Sequence, residues 1–275
     1  MTKLVYIGGF GQSGSALFES LMTANPDVVA CGEIVNGFRK RRGKELRCSC
    51  GKLRNDCPVW STFNKTSSSV SSWTHEALVL TLLEHVTPKY TIMSDSSKTA
   101  WGSVSAPFRL RRELGQHFCL LHVVRDPRAV CWSAVRLAKA TNARKTKRAT
   151  KRVLSKLIPR YLRTLLGWWI ANLSCELFAW LYPSQYLRAR YEDFAYDPRT
   201  ALDTLFNVVL PDQLWQLAEI GMSDNRHQLY GNRMRRQRLL FSDVRIDIRW
   251  KSEMPRAYRQ LIAILAWPLR AKYGS

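Results

Sequence analysis

Apolar residues gather along this chain in two patterns. Short runs rich in β-branched and aromatic residues occur at Leu4–Ile7, Val28–Cys31, Tyr90–Met93, Phe118–Val124 and Tyr186–Arg190. Phe118–Val124 is continuously apolar, as a strand buried on both faces should be. Between these runs, apolar positions recur at helical spacing over Ser15–Ala24, His75–His85, Ala106–Leu114 and Pro127–Lys139. The same spacing continues from about Thr146 to Leu181 and again over Pro255–Tyr273. Strand runs alternating with helical stretches predict an α/β fold, an open parallel sheet flanked by helices. No repeat and no interdomain linker interrupts the pattern, so residues 1–275 are read as one domain. An irregular, Ser- and Cys-containing insertion is expected around 39–74, and a basic helical region around 139–165.

One apolar stretch, Leu165–Tyr182, approaches membrane length. It contains Asn172, Ser174 and Glu176 and is ended by Pro183, so a buried helix is expected. Met1–Gly14 reads as a strand and a glycine turn, with no cleavable signal, and a cytoplasmic protein is expected. Its seven cysteines are then read as mostly reduced thiols. Hydrophobic residues make up 46% and charged residues 23%, which excludes a disordered or low-complexity chain.

Charge is the departure from the ordinary. Lys and Arg total 43 against 21 Asp and Glu, a net of +22. Pro127–Cys175 alone holds 12 basic residues and no acid. Such a surface expects an anionic partner: a phosphorylated or sulfated cofactor, nucleic acid, an acidic glycan or anionic lipid.

Candidate chemistry starts at the first strand. Leu4–Ile7 runs into Gly8-Gly9-Phe10-Gly11-Gln12-Ser13-Gly14 and then a helix. This order points backbone N–H groups and a helix N-terminus at one place, which suits a phosphate. Gly9 and Gly14 have the spacing of the P-loop glycines. Ser15 and Ala16 stand where a nucleoside triphosphatase needs Lys and Ser/Thr, so a kinase or triphosphatase is not expected. A second piece follows Phe118–Val124. Arg125 lies at the carboxyl end of that strand, where open α/β sheets bind ligands. Asp126 is placed to cap the next helix, Pro127 to start it, and Ser133 lies two turns in.

These pieces together resemble the sulfotransferases that use 3′-phosphoadenosine-5′-phosphosulfate (PAPS), particularly the bacterial branch. The loop Gly11–Ala16 is similar to that family's 5′-phosphosulfate loop. Arg125 and Ser133 keep the eight-residue spacing of its 3′-phosphate element. Asp95-Ser96-Ser97-Lys98, Arg190-Tyr191-Glu192-Asp193 with Asp197-Pro198, Gly231-Asn232-Arg233-Met234-Arg235 and the ending Trp267-Pro268-Leu269 to Tyr273-Gly274 also fit. The resemblance spans nearly the whole chain. It implies a sulfotransferase fold like that of P-loop NTPases, PAPS as donor and no metal requirement. It further implies that Tyr191 contacts the adenine and that Lys98 contacts the donor.

In a parallel sheet Glu33, Lys98 and Arg125 converge beside the phosphate loop. Glu33 in Cys31-Gly32-Glu33 looks like the segment carrying the catalytic glutamate of tyrosylprotein sulfotransferases, and it is the expected base. Gln12 departs from the family, which carries Arg or Lys there beside the bridging oxygen. The loss of one such donor typically costs about 10²–10³ in rate. Ala16 lacks a hydroxyl for the 5′-phosphate. A weakened catalyst or a cofactor-binding protein is therefore a rival to a full enzyme.

Cys48-Ser49-Cys50 with Cys57 admits three readings: zinc, with Cys31 or His75 as the fourth ligand, a disulfide, or plain thiols. His122, in the core strand, is read as structural. A basic protein for nucleic acid or anionic membranes is the rival from another class. No RNA-binding motif supports it, so nucleic acid is not favoured, while peripheral membrane contact fits the charge. The expected partners are PAPS and an acceptor that is acidic or presented on an anionic surface.

Overall fold

The structure, a computed structural model, describes residues 2–39, 46–64, 73–143, 157–211, 225–231, 233–237 and 240–274. The centre of the expected basic region, including Arg144, Lys145, Lys147 and Arg148, lies outside the described residues, as do Asn232 and most of the Ser-rich stretch. Five strands, β1 (Lys3–Gly8), β2 (Val28–Ala30), β3 (Ile92–Asp95), β4 (Phe118–Val124) and β5 (Tyr186–Arg190), form one sheet in the order β2-β3-β1-β4-β5. Every pairing is parallel. The α/β expectation holds, and each of the five apolar runs is a strand.

Helices fill the connections. After β1 comes α1 (Ser15–Met22), and after β2 come α2 (Ile34–Arg39) and α3 (His75–Val86). After β3 comes α4 (Ala106–Leu114); after β4 come α5 (Pro127–Ala143) and α6 (Leu157–Leu181). The chain ends through α7 (Tyr191–Tyr196), α8 (Pro198–Val209), α9 (Trp250–Glu253), α10 (Arg256–Leu265) and α11 (Trp267–Lys272). The caps follow the sequence. Asp126 Oδ1 accepts the Arg128 N–H at 2.8 Å ahead of Pro127, and Thr74 accepts the Ala77 N–H at 3.1 Å to open α3.

Alternation along the strands divides the core. Leu4, Tyr6 and Leu120 bury against α3, α4 and Phe178 of α6 on one face. Val5, Ile7, Leu121 and Val123 bury against α1, α7 and α8 on the other. A third cluster packs α5, α6, α10 and α11 around Trp168.

Helix α6 revises one expectation. Tyr161, Leu165, Trp168, Ala171, Cys175 and Phe178 form a buried stripe, but Leu162, Leu166, Leu173, Leu177 and Trp180 on its other side are exposed, Trp180 at 77%. The helix is half-buried: only one side meets the sheet. Among the described residues no helix is long and apolar enough to cross a membrane.

His122 is structural, as read. It is fully buried on β4, with Nδ1 2.8 Å from the Tyr186 hydroxyl and Nε2 2.8 Å from Asn172 Oδ1. Burial lowers its pKa to about 4. The unfolded chain therefore takes up a proton on this ring near pH 6.5 that the folded protein refuses until about pH 4. Stability contributed by the neutral ring is lost as pH falls through that window, on the order of 3 kcal/mol. Urea midpoints of wild type and His122→Gln, compared from pH 7 to pH 4, should diverge by that slope, with the variant lacking it.

Candidate functional site

The loop between β1 and α1 is shaped by two glycines that no other residue replaces. Gly9 has φ +112°, and a Cβ there would lie 2.5 Å from the Val123 carbonyl oxygen. Gly14 has φ +98°, and a Cβ would lie 2.5 Å from Tyr191 Cδ2. Gly14 is the N-cap of α1 and supplies no side chain to cap it, so the first-turn N–H groups of Ser15 and Ala16 stay available to an anion. Thr99 Oγ1 accepts the Gly9 N–H at 3.0 Å and ties the loop to the end of β3.

Each strand delivers one expected residue to this rim: Gln12 after β1, Glu33 after β2, Lys98 after β3, Arg125 after β4 and Tyr191 after β5. Lys98 and Glu33 form an ion pair, and the second Glu33 oxygen accepts from Asn36 Nδ2 at 2.5 Å. Lys98 is held by a hydrogen bond from the Tyr6 hydroxyl to its carbonyl. Its side chain also passes Gly11, where a Cβ would lie 3.9 Å from Lys98 Cδ. Three non-glycine residues among those described have positive φ, and two are Gln12 (73°) and Lys98 (71°). Such strain persists where surrounding structure enforces it, which is common at ligand sites.

Arg125 and Ser133 meet, and they meet on Gln12. Ser133 Oγ donates to Gln12 Oε1 at 3.0 Å, and an Arg125 N–H donates to the Gln12 carbonyl at 2.9 Å. Arg125 is buried, lies 4.1 Å over the Tyr191 ring, and leaves its Nε without a partner. Its other side faces Asp247, whose Oδ2 is 3.6 Å away. Arg249 holds Asp247 at 2.7 and 2.8 Å and, with Arg125, keeps its pKa near 2, so this carboxylate is charged.

Sequence reading missed three residues here. Asp247 belongs to no motif and arrives from 122 residues beyond Arg125. Glu19 is buried inside α1, where a helical surface carboxylate is the default reading. Its oxygens accept from Gly32 N (2.8 Å), Ser94 Oγ (2.9 Å), Ser96 Oγ (2.7 Å) and Gln228 Nε2 (2.9 Å). It thereby fixes Gly32, the residue before Glu33. His227 is the third. The three thiols of Cys48, Cys50 and Cys57 gather around it, while His75 bonds Asp95 at 2.6 Å and Cys31 lies outside the set. The expected fourth member of that cluster is therefore corrected to His227.

No family model matches the sequence, and no curated protein matches it. Solved structures do. The chain is similar to the sulfotransferase domain from the curacin biosynthetic pathway, at 16% identity over 96% of both chains with a TM-score of 0.52. The sulfotransferase domain of the Synechococcus PCC 7002 olefin synthase aligns at 16% identity over 96% of this chain and 95% of that one, TM-score 0.46. A sulfotransferase from Alicyclobacillus acidocaldarius aligns at 13% identity over 82% and 88%, TM-score 0.49. The fold is the α/β sulfotransferase fold.

Burial raises the Glu19 pKa to about 7. The unfolded chain loses this proton near pH 4.5, the folded protein only near pH 7, so the contribution is lost as pH rises through that window. Its sign opposes that of His122 over nearly the same range. Glu19→Gln should therefore remove a decline on the order of 3 kcal/mol between pH 4.5 and 7, read as the difference in urea midpoint from wild type.

Proposed function

We propose that this chain transfers a sulfuryl group from PAPS to a hydroxyl or amine acceptor. The observation that carries this reading is the meeting of the uncapped glycine loop, the buried Arg125 with Ser133, and the Glu33–Lys98 pair at one sheet edge. The residues fit the donor. Arg125 keeps an unpartnered buried N–H, and the N–H groups of α1 face the loop. Gly11–Ala16 would hold the 5′-phosphosulfate, Arg125 and Ser133 the 3′-phosphate, and Tyr191 the adenine. The donor supplies the sulfuryl group, whose bond to the phosphate oxygen breaks as its bond to the acceptor oxygen or nitrogen forms.

Glu33 takes the acceptor proton in that step and Lys98 neutralises charge on the transferring group. The ion pair between them keeps both side chains aimed at one point. Gln12 stands where relatives carry a cation, and its side chain is turned to Ser133. That contact favours a second reading, a cofactor-binding protein of low turnover. The net charge of +22 supports an acidic acceptor, or one presented on an anionic surface.

Isothermal titration should show 3′-phosphoadenosine 5′-phosphate binding at least ~10-fold tighter than 5′-AMP, with Arg125→Ala abolishing the preference. Asp247→Asn removes a carboxylate that competes for Arg125 and should tighten the bisphosphate further. Equal affinity for the two nucleotides contradicts the reading.

With labelled PAPS and an acceptor library, Glu33→Gln should keep nucleotide affinity and lower turnover by roughly 10²–10⁴. Gln12→Arg should raise turnover if the native enzyme is a weakened catalyst. Retained nucleotide binding with no transfer in either Gln12 form selects the second reading.

A further inference from the structure

The insertion between α2 and α3 carries chemistry that the transfer reaction does not use. Residues 46–54 fold into a tight hairpin: Arg47 bridges Leu53, Arg54 N donates to the Leu46 carbonyl at 2.7 Å and Cys48 N to the Lys52 carbonyl at 2.9 Å. Cys48 and Cys50 sit at its tip. A short turn over Arg54–Asp56 then delivers Cys57. From 170 residues further along, His227 enters the same pocket.

Four ligand atoms now lie within 4.8 Å of one another. Cys57 Sγ is 3.6 Å from Cys48 Sγ, 3.8 Å from Cys50 Sγ and 3.2 Å from His227 Nδ1. Tetrahedral zinc with Zn–S near 2.3 Å and Zn–N near 2.0 Å sets sulfur–sulfur edges of about 3.8 Å and sulfur–nitrogen edges of about 3.5 Å. The three spacings measured from Cys57 lie within about 0.3 Å of those edges, and the remaining pairs lie within 4.8 Å. A disulfide would need about 2.05 Å between two of the sulfurs, and all seven cysteines are free. We propose that Cys48, Cys50, Cys57 and His227 form a structural zinc site that clamps the insertion to the sheet edge.

Backbone donors converge on the three sulfurs. The backbone N–H of Cys50 bonds the Cys48 sulfur, that of Lys52 the Cys50 sulfur and that of Trp60 the Cys57 sulfur. Cys48, Cys57 and His227 are buried, and protein supplies all four ligands, so no position stays open for a reacting water. Three thiolates and one imidazole in a tetrahedron select zinc over harder ions. Outer contacts fix the His227 main chain: Trp60 Nε1 donates to the His227 carbonyl at 2.6 Å and His227 N donates to the Ala30 carbonyl at 2.7 Å.

The clamp acts on the neighbouring rim. Ala30 ends β2 and pairs with Arg226, and the next residue after His227, Gln228, bonds Glu19. Tyr230 accepts the Glu33 N–H at 3.4 Å. Zinc on His227 therefore holds the strand that backs the Gly32–Glu33 turn.

The test is metal content. Full-length protein from zinc-supplemented cells, desalted under reducing conditions, should contain one zinc per chain by plasma mass spectrometry. His227→Gln and Cys57→Ser should lose it, and Cys119→Ser, outside the set, should keep it. A thiol-directed mercurial should release the equivalent to a chromogenic chelator, and chelation should lower the thermal midpoint. Cobalt in its place should give the visible bands of a tetrahedral thiolate site. Should the variants fail to fold, the wild-type measurements alone decide. Metal-free protein, iron in place of zinc, an intact mass two hydrogens lighter, or zinc retained in the folded His227→Gln variant overturns the proposal.

Discussion

Parallel pairing of all five strands decides where everything else in this molecule can lie. Each strand must be followed by a return crossing, so the chain leaves the sheet five times at one edge and never doubles back between neighbours. The residues after β1, β2, β3, β4 and β5 are therefore forced into one rim. Sequence-distant side chains such as Glu33 and Lys98, or Gln12 and Ser133, become bonded pairs without any local motif joining them. The two glycines complete the rim because the β1–α1 loop must pass under Val123 and against Tyr191 with no room for a Cβ.

The same pairing explains what the sequence discloses. Interior strands β1 and β4 are buried on both faces, so they appear as unbroken apolar runs. Edge strand β5 is half-exposed throughout and alternates with arginines, which weakens its signal. Gln12, Glu33, Lys98 and Arg125 could be placed at the rim from the sequence because each comes within four residues of a strand's end, whereas Ser133 and Tyr191 were singled out by the resemblance. Asp247, Glu19 and His227 were not. Their roles come from contacts with segments 122, 75 and 170 residues away, and nothing in their own neighbourhood marks them. Helices α7 and α8 were missed for a milder reason: Leu202, Leu205, Phe206 and Val209 keep helical spacing, but over too few turns to stand out. The apolar stretch of α6 misled in the other direction, since apolar content does not say which side meets the core.

Charge at the rim is arranged in opposition to the charge of the chain. With a net of +22, the rim still pairs its cations with carboxylates: partly buried Lys98 with Glu33, buried Arg125 with Asp247, and Asp247 again with exposed Arg249. For Arg125, a buried cation with no partner is costly, and Asp247 offsets that cost while fixing the direction of the guanidinium.

Under the proposed reaction, this arrangement has a consequence for each pair. A 3′-phosphate on Arg125 must displace or crowd Asp247, which Arg249 can hold aside because it already binds the carboxylate with two N–H groups. A sulfuryl group near Lys98 draws the ammonium away from Glu33, leaving that carboxylate held by Asn36 and free on its other oxygen. On that reading Glu33 would have an oxygen free for the acceptor proton only once the group to be transferred has drawn Lys98 away. The pairing would thus couple donor binding to release of the base through a single ion pair.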